Sequence, residues 1–215
     1  VGDLIYAAAD MLCKGFLIGA TAGRTTLNGE GLQHQDGHSP LLAATIPSVE
    51  TYDPAFGYEL SAIVKSGIKR MFVDDEKLIF YILAYNESYK MPEMPLHTDG
   101  TSRENREGVA DGILRGLYRF RKSDLPFENE QKVHLFGSGS IMQQVLAAAD
   151  ILEKMGISTD VWSATSYTEL TRDCMAVERR NLLNNNRETI EKSYLEQVFA
   201  TAKGIIVAVS DYMKA

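Results

Sequence analysis

The chain has 215 residues, a formal net charge of −7, 45% hydrophobic and 24% charged residues. That balance supports a real core and fits one large domain or two modest ones. The mild acidity offers no clustered basic face for a nucleic-acid backbone, and no run approaches the roughly 20 apolar residues of a membrane helix, so neither nucleic acid nor a membrane is an expected partner.

The opening VGDLIYAAAD has no basic stretch or cleavage site of a secretory signal and no initiator Met; it reads as the inside of a helix in a longer chain. Residues 3–14 carry Leu4, Ala7, Ala8 and Met11 on one stripe, with Gly15 as a stop. FLIGA, from Phe16, is continuously apolar, as a strand buried on both faces of a parallel sheet would be. A long polar loop follows. SVETYD (48–53) reads as a second strand, 56–71 as an amphipathic helix and KLIFYILAY (77–85) as the strongest strand. A hydrophilic connection with prolines and charges comes next, then GILRGLYRF (112–120) as a returning strand. SDLPFENEQ (123–131) has the composition of a linker between domains. After it KVHLFGSGS is strand and glycine turn, 141–155 a helix closed by Gly156, STDVWSATS a strand, 168–183 a helix and GIIVAVSDY a last strand. The βαβ rhythm predicts an α/β fold with parallel sheets, in units spanning 1–123 and 132–215 joined by a linker at 124–131. Cys13 and Cys174 are too few and too far apart for a disulfide framework or a zinc site, and a reducing, cytoplasmic setting is the default expectation.

The polar loop GRTTLNGEGLQHQDGHSP (23–40) concentrates titratable chemistry. Glu30, His34 and His38 recur every four residues, which on a helix would suggest a metal site, but Gly29, Gly31 and Gly37 argue against a helix. One reading is a solvated surface loop. Against it, long structureless loops in compact domains tend to be functional, and this one should emerge at the carboxyl edge of a parallel strand, where open α/β sheets bind ligands. Histidine exchanges protons near neutral pH, and a neighbouring carboxylate tunes it. LFGSGS lacks the third glycine of a dinucleotide fingerprint; it can present amides to an anion or be a tight turn capped by Ser138 or Ser140. Asn86, Glu87 and Tyr89 follow the strongest strand and can either meet a ligand or cap a turn. His134 alternates with Val133 and Leu135 and reads as a satisfied sheet residue.

FLIGATA, GRTTLNGEGLQHQDGHS and YDPAFGYE, followed in order by LAYNESYKMPEMP, LFGSGSI, DVWSATSYTELTRD and SDYM, closely resemble the homodimeric-type pyruvate dehydrogenase family, the decarboxylating component of a multienzyme complex. The resemblance covers nearly the whole chain. It implies a transketolase-like, thiamine-diphosphate-dependent enzyme, with this chain as the last part of the pyrimidine-binding middle domain followed by the first part of a transketolase C-terminal-like domain. By that likeness Glu30 and His34 are the catalytic residues, His34 as acid, base or orienting donor and Glu30 tuning or positioning it. Asp36 and His38 belong to the same motif as cofactor-binding residues.

The implied partners are a second identical subunit, pyruvate and the lipoyl domain of dihydrolipoyl acetyltransferase. The implied cofactors are thiamine diphosphate and Mg²⁺, whose GDG-type motif is missing here, so no metal ligand is assigned and the isolated 215 residues should be inactive. Two rivals stay open. One is another enzyme of the superfamily, of transketolase or 2-oxoglutarate dehydrogenase type, which the loop as written disfavours. The other is a non-catalytic binding module on the same fold.

Overall fold

A computed structural model describes residues 2–20, 22–24, 31, 35, 37–96, 105–126, 132–184 and 190–213. The chain is α/β, as its sequence pattern predicts. Its elements are α1 (Gly2–Asp10), β1 (Gly15–Gly19), α2 (Ser39–Ala44), β2 (Val49–Tyr52), α3 (Gly57–Phe72), β3 (Ile79–Leu83), α4 (Asn105–Arg115), β4 (Tyr118–Arg121), β5 (Lys132–Gly137), α5 (Met142–Lys154), β6 (Ser158–Ser163), α6 (Tyr167–Leu183), α7 (Tyr194–Val198) and β7 (Ile205–Ala208). One sheet has the order β1-β3-β2 and is wholly parallel. The other has the order β4-β6-β5-β7, with β4 antiparallel to β6 and the remaining pairs parallel.

Helix α3 shows why the local pattern succeeds. Glu59, Ile63, Gly67 and Met71 recur every fourth residue, so they share one face and all are buried. That face packs on Phe80 and Ile82 of β3 and Tyr52 of β2. Ile63, Met71, Phe80 and Ile82 are fully shielded, each contributing about 1.5–3 kcal/mol of transfer free energy. In the second sheet α5 buries Met142, Val145 and Ala149 against Leu135 and Val161, and Gly156 ends the element at a φ of 81°.

Three sequence expectations change. First, β1 was expected to be buried on both faces, yet Leu17 and Ile18 are 36% and 56% exposed. It lies at the edge of its sheet, with β3 as its one partner among the described residues. Second, residues 112–115 are helical, not extended. Val109 and Ile113, one turn apart on α4, are wholly buried in the core with Tyr52, Ile63 and Phe80, and that burial outweighs the low helix propensity of Gly108 and Gly112. Third, β4 lies within the expected 1–123 unit but pairs with β6, Tyr118 opposite Ser163, so it belongs to the second sheet. Residues 127–131 of the expected linker lie outside the described residues.

The two sheets meet end to end. Asp53 N–H, just past β2, donates to Thr165 O at 2.7 Å beyond β6. Ser166 Oγ donates to Thr51 O at 2.6 Å. Phe56 and Phe120 stack with ring centroids 5.0 Å apart. The carboxyl ends of β2, β3, β5, β6 and β7 are thereby gathered around one junction.

Candidate functional site

The polar loop leaves the carboxyl end of β1 and ends at α2. Its entry extends the first sheet: Ala84 N–H donates to Gly19 O at 3.0 Å, and Ala22 N–H donates to Ala84 O at 2.8 Å. Arg24 N–H then donates to Asp211 Oδ2 at 3.0 Å, and Gly37 O at the far stem accepts from Met213 N–H at 3.1 Å. Within the loop Gly31 sits at a φ of 80° and its carbonyl accepts from Gln35 N–H at 3.3 Å. A left-handed φ there favours glycine, so Gly31 has a backbone reason.

The candidate residues fall unevenly. Glu30, His34 and Asp36 lie outside the described residues. His38 is described: it is exposed, stands at the residue before α2, and its carbonyl accepts from Leu42 N–H at 3.0 Å. Beside the loop's far stem lies a cleft of about 730 Å³, lined by Pro40 and Leu41 of α2, Asp53, Tyr167, Arg172 and Tyr212. Among the described residues no group of three or more His, Cys, Asp or Glu side chains is placed to hold a metal ion.

The junction holds titratable groups that motif reading passed over. By sequence Asp53 is only the last residue of the SVETYD strand. It is 9% exposed, and its carboxylate accepts from the Tyr85 hydroxyl. Burial pushes its pKa up to about 6; the Asp211 and Glu59 charges add to the rise and the Tyr85 hydrogen bond opposes it. Asp53, Tyr85 and Asp211 each follow a strand closely. That shared position at carboxyl edges is the available signal; in the sequence it marks the polar loop and Asn86, Glu87 and Tyr89 as well. Of these, Asn86 and Glu87 are exposed, while Tyr89 donates to Ala55 O at 2.5 Å.

The LFGSGS segment is a tight turn. Gly139 N–H donates to Asp53 O at 3.1 Å, and Ser138, at the capping position, makes no side-chain cap hydrogen bond. The turn's amide is thus spent on the protein's own backbone. His134, 3% exposed, is satisfied as a sheet residue: Nδ1 accepts from Trp162 Nε1–H at 3.2 Å, and Nε2 lies 3.0 Å from Lys203 O. Trp162 leaves Nδ1 as the acceptor, so Nε2 carries the proton and donates.

Residues 1–92 match the pyruvate dehydrogenase E1 component middle domain, and residues 116–215 match the transketolase-like C-terminal domain. The chain is 45% identical over 216 aligned residues to the pyruvate dehydrogenase E1 component of Cupriavidus necator, covering 100% of this chain and 23% of that protein. Along its whole length the chain is similar to pyruvate dehydrogenase E1 components. The E1 component of Escherichia coli (strain K12) is likewise 45% identical, with 100% of this chain and 22% of the relative covered. The chain therefore spans under a quarter of the length of these E1 relatives. A transketolase structure from Campylobacter jejuni superposes with a TM-score of 0.63 at 18% identity, over 96% of this chain and 26% of that one, which shows a shared fold. That similarity gives the loop its context: it stands at the end of the sheet in the stretch matching the middle domain and touches the stretch matching the C-terminal domain. No helix among the described residues is long and apolar enough to cross a membrane.

Proposed function

We propose that this chain supplies the acid–base loop of a pyruvate dehydrogenase E1 subunit, an enzyme that decarboxylates pyruvate and passes the two-carbon unit to the lipoyl group of the acyltransferase component. The observation that carries this reading is the loop's position. It leaves a parallel strand's carboxyl edge and is fastened at both stems where the two sheets meet. In that place a histidine and a carboxylate can hold and move protons at a bound substrate without being rebuilt for each turnover.

In this reading His34 exchanges the proton, Glu30 sets its basicity, and Asp36 and His38 complete the polar wall toward the cofactor. Thiamine diphosphate, when bound, supplies the electron sink for the lost carboxylate. Gly31 fits such a group, because an exposed backbone without a Cβ leaves room for a flat ring. Magnesium finds no cluster of ligands among the described residues, so no step is written through it. The two units meet between α4 and β4, since α4 packs on the first sheet and β4 pairs in the second. A second identical subunit and a lipoyl domain are the proposed partners. A cytoplasmic setting accords with Cys13 and Cys174, both free thiols.

The test is His34→Ala in the full-length protein, assayed with pyruvate and with longer 2-oxo acids. Turnover of pyruvate should fall by roughly 10²–10⁴-fold, the range for one acid–base residue. Unchanged turnover would favour a binding module without chemistry, and a preference for a longer 2-oxo acid would favour another superfamily enzyme.

A further inference from the structure

We propose that the second unit fastens both stems of the site loop, and that Asp211 is a positioning residue for the chemistry the loop carries. The proposal rests on the functional reading of that loop. Three ties support it, and they come from two separate stretches of the second unit. Asp211, 8% exposed, accepts the Arg24 N–H at 3.0 Å across 187 residues of sequence. Two residues later, Met213 N–H donates to Gly37 O at 3.1 Å. On α6, the Arg172 guanidinium donates to the carbonyls of Ala44 and Ile46, each at 3.0 Å, at the end of the helix that follows the loop.

The SDYM segment thus grips both stems, and Arg172 anchors the helix into which the loop runs. The first unit holds the loop's surroundings, through the strand-like bond from Ala22 to Ala84 and through Ala43 and Ile46 packed on Val49 and Ile79, whereas SDYM grips the two stem residues themselves. A loop closed at Arg24 and Gly37 by one carboxylate and one amide has less conformational freedom than one tied only where it leaves its strand. A hydrogen bond to a charged acceptor is also the stronger kind. Because reacting groups lose rate steeply with small displacements, releasing these stems should act on turnover more than on substrate capture.

The experiment compares Asp211→Ala, Asp211→Asn and Met213→Pro in the full-length protein, reading tryptic cleavage after Arg24 together with kcat and KM for pyruvate. Cleavage after Arg24 should quicken by roughly tenfold or more in Asp211→Ala, the opening expected when a bond to a charged group is lost. Its kcat should fall roughly 10- to 100-fold while KM stays near the wild-type value. Asp211→Asn keeps an acceptor oxygen for Arg24 N–H and should recover most of both. Met213→Pro removes the amide that reaches Gly37 at an exposed residue, so it tests the second stem even where Asp211→Ala fails to fold. Unaltered cleavage in both Asp211→Ala and Met213→Pro would overturn the proposal, as would equal loss in the Asn and Ala variants. Faster cleavage with unchanged kcat would uphold the fastening and sink the catalytic reading of the loop.

Discussion

Glu59, in the first turn of α3, and Ser163, the last residue of β6, meet at 2.6 Å although 104 residues separate them. Ser163 Oγ–H donates to Glu59 Oε1, and the Tyr118 hydroxyl donates to the same oxygen at 2.6 Å. The other oxygen, Oε2, accepts from the amides of Ala55 at 2.6 Å and Phe56 at 3.0 Å. Burial raises the pKa of this carboxyl against the pull of those four donors. The two sides differ in kind. Hydroxyls can turn and accept, whereas backbone amides cannot. Glu59→Gln should therefore be tolerated, its oxygen facing the amides and its NH₂ facing the hydroxyls, whereas Glu59→Ala strands four buried donors and should cost about 3–5 kcal/mol. Urea unfolding of the full-length variants reads the difference, and equal losses would refute this orientation.

Asp53 makes stability depend on pH in the less familiar direction. Its ordinary pKa is 3.8 and its folded value about 6, so the folded state keeps the proton longer. The contribution is complete below about pH 4 and is lost as pH rises through about 6, on the order of 3 kcal/mol. Asp53→Asn keeps an oxygen for the Tyr85 hydroxyl and removes the titration. The stability of Asp53→Asn relative to wild type should rise between pH 4 and 7. Asp75, Glu191 and Glu196, whose pKa values shift downward, are common to both proteins and cancel. Parallel curves would mean that Asp53 does not titrate in this window.

His134 shows the opposite sign. Burial lowers its pKa from the ordinary 6.5, and its two ring nitrogens are matched to a neutral imidazole. The stability tied to that neutral ring is present above the ordinary pKa and lost as pH falls through the folded one. His134→Phe keeps the bulk but strands the Trp162 N–H and the Lys203 carbonyl, a cost of about 1–3 kcal/mol. Amide exchange should quicken along β7, and the penalty against wild type should shrink on acidification. A penalty constant from pH 8 to pH 5 would contradict a neutral ring.

Gly139 and Gly156 both sit at positive φ, 49° and 81°, but in different surroundings. A Cβ on Gly139 would run into the Tyr85 hydroxyl and the Asp53 carboxylate, whereas one on Gly156 meets open space. Gly156→Ala should cost only the left-handed backbone, about 1–2 kcal/mol. Gly139→Ala should add an overpacking penalty of about 1–3 kcal/mol. Thermal or chemical unfolding of the pair separates the two terms, and equal costs would show that the junction has room to yield.

Periodic burial was legible in the sequence. Strands β3, β5 and β6 and helices α3, α5 and α6 stand where apolar spacing put them, because each buries one face or both along its own length. Helix α4 was not legible, since its glycines are local breakers and its burial comes from Tyr52, Ile63 and Phe80 elsewhere in the chain. At the candidate site the loop stands out in the sequence by composition, as a long run of polar and titratable residues. Asp53 and Asp211 did not, because an isolated acidic residue after a strand looks the same whether it faces water or a second domain.

By itself the sequence determined the α/β class, the likeness to pyruvate dehydrogenase E1 components and the loop that carries histidines and acids, since these depend on residue type and short spacing. Tertiary structure alone decided that β4 joins the second sheet, that Glu59 is satisfied from across the junction and that Asp211 reaches Arg24. Those relations are hydrogen bonds between groups 40 or more residues apart. Their partners are chosen by how two sheets pack together, and no local pattern records that choice.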